Sequence, residues 1–162
     1  MKYIIQPIRE CDANRIATWQ YEPPYAMYSL SLLAIPALLD PGNRYHSIRD
    51  DTGRLHGYCC FGAEARVPGG AYREGEPDVV DVGLGMHSGM VGKGHGKAFV
   101  AAILAFAAGA FKPERIRVTI AAFNERSQRT FLGLGFTKTN RFNRDGDGME
   151  FVQLERAAVK TA

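Results

Sequence analysis

The chain has little that would staple it, span a membrane with it or bind it to a nucleic acid. Its three cysteines, among 162 residues, are Cys11 alone and the adjacent pair Cys59 and Cys60. They form neither an even disulfide framework nor a set with metal-ligand spacing, so a reducing compartment and no metal are expected. Charge of one sign is also missing: 20 Lys and Arg stand against 17 Asp and Glu, a net +3, and no basic run marks a nucleic-acid footprint. The one long apolar stretch, Ala98 to Phe111, falls short of the ~20 residues that cross a bilayer. The opening MKYIIQPIRE is charged too early for a secretory leader, so a soluble cytoplasmic protein without a membrane partner is expected. No internal repeat or low-complexity linker divides the chain, and 46% of its residues are hydrophobic, enough for a sizeable core. The expectation is one domain over residues 1–156 with a loose tail at 157–162.

Segments of strand and helix character follow one another in an uneven order. KYIIQPI reads as a strand, and the run after Arg9 begins helically, with Asp12 as its cap and Pro23 and Pro24 as its stop. A short helix is expected from Ser29 to Leu39. Two β-like runs joined by Asp50-Asp51-Thr52-Gly53 make a hairpin. Val67 to Pro77 is a loop rich in glycine and proline. DVVDVGLGM is strand-like, and a helix from about Gly94 to Phe111 ends at Pro113. RIRVTIAAF is a strand, NERSQRTFLGLG a helix capped by Asn124 and stopped at Gly135, and FTKTNRF and EFVQLER are the last strands. The order is β-α-α-β-β-β-α-β-α-β-β, an α+β chain with helices on the faces of a mixed sheet.

The informative stretch is VGKGHGKA, alternate glycines running into the apolar helix, a layout that offers backbone N–H groups to a phosphate. Spacing separates the kinds of loop. A Walker loop needs glycine at Val91 and Ser or Thr at Ala98. A dinucleotide fingerprint needs glycine or alanine at Phe99 or at Lys97, according to its start. Neither fits. What remains is a strand-to-helix cradle at Gly92-Lys93-Gly94-His95-Gly96, which depends on amides rather than on side chains.

This loop resembles the acyl-CoA loop of the GNAT acetyltransferase superfamily, in which Gln or Arg is followed after two residues by Gly, any residue, then Gly or Ala. Gly94 and Gly96 match the small positions, and Val91 departs from Gln or Arg. Downstream, NERSQRTFLGLGF is similar to the second family signature, with Asn124, then Ser127, then an aromatic ahead of Gly135-Phe136. The likeness covers Tyr3 to Arg156. It implies a three-layer fold with a mostly antiparallel sheet of six to seven strands and a splayed central pair. It also implies acetyl-CoA as cosubstrate and an amine acceptor, either a small molecule or a peptide N-terminus. A homodimer is an assembly the family often adopts.

The resemblance further implies that Gly92, Lys93, Gly94, His95, Gly96 and Lys97 hold the pyrophosphate. It makes Leu84, Gly85 and Met86, on a bulged strand, the pairing partner of the pantetheine arm, and brings Asn124 to its thiol end. Strand alternation independently puts Val79, Asp81, Gly83 and Gly85 on one face, where glycine leaves the backbone open to close approach. Amine acylation needs a neutral amine, and a lysine-like amine has a pKa near ~10.4, so a base or a water chain must carry its proton away. Asp81 is the first candidate, His87 the second and Glu64 the third. Thr119 stands where some relatives carry glutamate. Phe131 stands where many carry the tyrosine that protonates the leaving thiolate, and phenylalanine cannot donate. It is left to pack against the cofactor. Trp19, Tyr21, Tyr25 and Tyr28 are expected on the acceptor wall. A CoA-binding module that has lost catalysis is the alternative.

Overall fold

The computed structural model describes residues 1–73, 76 and 78–158. Seven strands form one sheet in the order β1-β2-β3-β4-β5-β7-β6. They are β1 (Tyr3–Pro7), β2 (His46–Asp50), β3 (Leu55–Phe61), β4 (Val79–Met86), β5 (Arg115–Ala121), β6 (Thr137–Asn143) and β7 (Glu150–Ala157). All neighbours are antiparallel except β4 and β5, which run parallel. The helices are α1 (Glu10–Ile16), α2 (Ile35–Leu39), α3 (Gly96–Phe111) and α4 (Glu125–Gly133), and the order of elements is the one read from the sequence.

Two cores give three layers. On one face, Phe99, Ile103 and Leu104 of α3 and Phe131 of α4 pack against Cys59, Val82, Val118 and Leu154 of the sheet. On the other, Ala13, Ile16, Trp19 and Leu38 of the α1–α2 region cover Leu55 and Tyr58. Gly57 shows how close the first layer lies: a Cβ there would sit 2.3 Å from the carbonyl oxygen of Gly85 and 2.5 Å from the Phe99 ring. Among the described residues no helix is long and apolar enough to cross a membrane, and no cluster of His, Cys, Asp or Glu has the makings of a metal site.

Several boundaries differ from the sequence expectation. α1 is capped by the backbone of Arg9, while Asp12 lies inside the helix, fully buried, where it pairs with Arg49 of β2 and, at 3.5 Å, with Arg9. A buried partner far along the chain outcompetes a local cap. The helix expected from Ser29 shrinks to Ile35–Leu39 behind a single 3₁₀ turn at Leu32–Ala34, because Pro36 near its start has no N–H to extend it backwards. α3 begins at Gly96, since Gly94 has φ +82°, outside the right-handed helix. β4 pairs with β3 in unbroken register from Val82 to Met86, so the expected bulge is absent there. β7 runs to Ala157, and Ala158 is buried with its N–H on the Glu114 carbonyl. Residues 159–162 of the expected tail, and 74, 75 and 77 of the Val67–Pro77 loop, lie outside the described residues.

Candidate active site

β4 and β5 pair only over Val79–Asp81 and Arg115–Arg117 and then diverge. A cavity of about 880 Å³ occupies the split. It begins at Gly92, Gly94 and Gly96, passes Leu84 and Ile120, and opens on the opposite face among Tyr21, Tyr45 and Tyr58. The open edge of β4 faces it. The N–H of Gly62 bonds the Asp81 carbonyl at 2.9 Å and the N–H of His87 bonds the His56 carbonyl at 2.7 Å, so the odd-numbered residues of β4 serve β3. By ladder alternation the backbone groups of Val82, Leu84 and Met86 point into the split. One of them is taken: the Tyr21 hydroxyl donates to the Met86 carbonyl at 2.6 Å.

At the other end the chain turns through Gly92 (φ +76°) and Gly94 (φ +82°), where a side chain would be strained. Among the described residues, the backbone N–H groups from Val91 through Ala98 find no acceptor, and His95 supplies no side-chain cap to α3. Unpaired amides at the start of a long helix make an anion site. Lys97 lines it, and so does Arg126 of α4, whose Nη1 is 3.7 Å from the place a Cβ on Gly92 would take and whose guanidinium lies 4.3 Å over the Tyr25 ring. Arg126 was missed by the sequence reading. The available signal was a cation in the first turn of α4, where an acidic residue is usual.

A family model described as an acetyltransferase (GNAT) domain matches residues 2–137. The chain belongs to the GNAT acetyltransferase family. No curated protein matches it. Among solved structures, a GNAT-family acetyltransferase from Bacillus anthracis is 12% identical, with TM-score 0.74, over 98% of this chain and 96% of that one. A protein assigned as a phosphinothricin N-acetyltransferase is 16% identical, with TM-score 0.73, over 98% and 100%. A chimera of the spermidine N-acetyltransferase SpeG from Vibrio cholerae with hSSAT is 14% identical, with TM-score 0.68, over 98% and 96%. They share its fold. Acetyl-CoA is the cosubstrate of the GNAT family, and the residues here fit it: free amides, two positive-φ glycines and two cations for the pyrophosphate, and an unpaired strand edge for the pantetheine amides.

Against this GNAT frame the candidate residues separate. Gly92, Gly94, Gly96 and Lys97 border the cavity, whereas Lys93 and His95 do not line it. Leu84, Gly85, Met86, Asn124 and Phe131 also line it. The faces of Gly83 and Gly85 are filled by the protein itself: a Cβ on Gly85 would lie 2.5 Å from the Tyr58 ring, and one on Gly83 would lie 2.8 Å from the Cys60 Sγ. The room for a ligand is at the strand edge, not on that face. Asn124 is occupied by structure, its Oδ1 accepting from the Ser127 N–H at 3.1 Å and its Nδ2 donating to the Tyr28 hydroxyl at 3.2 Å. Phe131 is 2% exposed and packs edge-on to Phe136 with ring centres 5.1 Å apart.

Two catalytic candidates lie off the cavity. Asp81 is 2% exposed and does not line the cavity; Arg117 Nε donates to its Oδ1 at 2.6 Å, while Arg117 Nη2 at 3.0 Å and Arg66 Nε at 2.9 Å donate to its Oδ2. Opposite Arg117 in the last parallel pair, it fastens β4 to β5 at the vertex of the split. His87 lies off the cavity, edge-on to Trp19 with ring centres 4.8 Å apart, and its Nδ1 accepts from the Gly89 N–H at 3.0 Å. Its pKa is lowered by burial and by the charges of Arg54 and Arg15. Trp19 belongs to the second core rather than to the acceptor wall, while Tyr21, Tyr25 and Tyr28 do line the cavity. Thr119 shares a 2.7 Å hydrogen bond with Tyr72, whose ring lies under Arg66 and Arg117. Glu64 lines the open end and accepts from the Tyr45 hydroxyl at 3.0 Å. Cys60 also lines the cavity, but burial and then the Glu64 charge push its thiol up to about 12, so it is no ready nucleophile.

Burial likewise pushes the Tyr21 phenol from 10.0 up to about 12. The folded state keeps that proton longer than the unfolded chain does, so the contribution to stability is full below pH 10 and is lost as pH rises toward 12. Phenolate absorbance of the native protein should therefore lag behind that of the denatured chain across this window, and Tyr21→Phe should narrow the gap.

Proposed function

We propose that the protein transfers an acetyl group from acetyl-CoA to a primary amine by direct attack within a ternary complex. The single observation that carries this reading is the continuous cavity, which joins the unpaired amides before α3 to an aromatic chamber on the far face through the β4–β5 split. A thioester laid along the edge of β4 would meet an acceptor entering from that chamber. The named activities of two structural neighbours, on spermidine and on phosphinothricin, agree with an amine as acceptor. A second reading, a CoA-binding module without catalysis, has one observation in its favour: Phe131 offers only hydrocarbon where a proton donor is expected.

The first experiment is thermal unfolding with acetyl-CoA, CoA, ATP and NAD in parallel. A ligand at 100 times its dissociation constant adds about 2.7 kcal/mol, roughly 5–10 °C here. Only the CoA species should raise the midpoint. A shift with ATP or NAD alone would overturn the assignment. Release of free CoA with a mixture of amines then separates enzyme from module, and silence with every amine despite tight cofactor binding favours the module.

A further inference from the structure

Resting on the acetyltransferase reading, we infer that the acceptor is a single-charged amine on an apolar body, and that Glu64, steadied by Tyr45, receives its ammonium and takes its proton.

The far chamber has an uneven chemistry. Its walls are tyrosine rings together with Met27 and Leu30, and among the described residues Glu64 is the one carboxylate that lines the cavity. No cation among the described residues forms an ion pair with it. The two guanidiniums at this end are already engaged: Arg66 with Asp81 at 2.9 Å, and Arg144 with Asp147 at 2.9 Å and 2.5 Å while lying over Phe151. Their charges are thereby balanced, and among the described residues the chamber is left with one unmatched negative charge beside aromatic faces. Such faces attract a cation, and the carboxylate fixes where its N–H groups go.

The same inventory argues against the two acceptor types named for the neighbours. A polyamine would bring a second ammonium to a chamber whose described residues hold no second carboxylate to receive it. An amino acid or phosphinate would bring an anion beside Glu64 toward arginines that already have partners. An ammonium on an apolar body satisfies both conditions.

Tyr45 completes the arrangement. Burial, then Cys60 and Glu64, raise its pKa, so it stays a phenol and donates to Glu64 Oε2, leaving the other carboxylate oxygen for the ammonium. Glu64 stands on the 3₁₀ turn Ala63–Ala65, which the Arg66–Asp81 pair anchors to β4, and it reaches solvent, where its proton can leave. In the transfer, the ammonium gives one proton to Glu64 and the freed nitrogen lone pair bonds to the acetyl carbonyl carbon. The carbon–sulfur bond breaks with its electrons on sulfur, and the second proton lost by nitrogen ends on that thiolate. The products are the acetamide and CoA thiol, with the first proton released from Glu64 to water.

The test measures kcat/KM for phenethylamine, spermidine, glutamate and a short peptide with a free N-terminus, with acetyl-CoA binding followed separately by calorimetry. Phenethylamine should exceed the others by about tenfold or more. Glu64→Gln should lower its kcat/KM about 100-fold near neutral pH. The loss should shrink as pH approaches the ionisation of the amine, while the acetyl-CoA dissociation constant stays unchanged. Spermidine, glutamate or the peptide matching phenethylamine overturns the acceptor class. A Glu64→Gln enzyme with undiminished rates overturns the role of Glu64. Failure of acetyl-CoA itself to bind overturns the underlying acetyltransferase reading, and this inference with it.

Discussion

Asp81→Asn is expected to lower the unfolding free energy by about 3–5 kcal/mol, the cost of removing one partner from a buried ion pair. The exchange is nearly isosteric, so what is lost is charge. Asp81 and Arg117 have side chains only 2% and 5% exposed, and water cannot replace the missing carboxylate. Glu76, 3.1 Å from Arg117, keeps part of the compensation and favours the lower end of the range. For a chain of this length the change corresponds to roughly 10 °C in Tm. Chemical denaturation should show it, with kcat of the folded variant falling less than tenfold at low temperature. The contrary result, an unmoved midpoint with kcat down by 100-fold or more, would return Asp81 to the role of general base.

The partners of Asp81 are ones that the local residue pattern does not name. Alternation along DVVDVGLGM correctly puts it on one face with Gly83 and Gly85, but alternation does not say what covers that face. The cover comes from elsewhere in the chain: Tyr58 and Cys60 across the β3–β4 ladder, Arg66 after the 3₁₀ turn, and Arg117 on β5. Asp12 is the same lesson at a helix start, where Arg49 of β2 claims a residue that local rules would make a cap. His87 is claimed by Trp19 from the α1 side.

What was legible is what local chemistry decides. Asn124 caps α4 through its own Ser127 N–H, and Gly92 and Gly94 hold positive φ, which few other residues tolerate. The hairpin at Asp50 is set by one carboxylate that accepts from the N–H and hydroxyl of Thr52 and from the Arg54 N–H. The open edge at Leu84 and Met86 was reached through family likeness rather than through residue pattern, because whether two adjacent strands pair or part depends on both strands and their vertex. Arg126 escaped for a related reason. Its position over Tyr25 beside Gly92 is a meeting of three segments.

Gly96→Glu should weaken acetyl-CoA binding about 100-fold or more while leaving the free protein as stable as before or slightly more so. The site tolerates the side chain: a Cβ on Gly96 meets nothing nearer than Thr130 Oγ1 at 3.7 Å, and the residue opens α3 without a positive φ. A carboxylate in the first turn of a helix stabilises it by about 0.3–1 kcal/mol. The same carboxylate would stand among the unpaired amides proposed to receive the pyrophosphate, where two unit charges ~4 Å apart repel by about 4 kcal/mol at an effective dielectric near 20. Since about 1.4 kcal/mol is tenfold in affinity, even two-thirds of that repulsion gives the stated loss. Gly94→Pro tests the same cradle less cleanly, because proline cannot adopt φ +82° and the turn itself would break. Gly96→Ala is the control and should bind within a few-fold of the parent. Calorimetric titration with acetyl-CoA beside thermal unfolding of the free proteins reads both signs at once. Opposite movement of affinity and stability places the pyrophosphate on the N-terminus of α3, whereas unchanged binding by Gly96→Glu moves the site away from it.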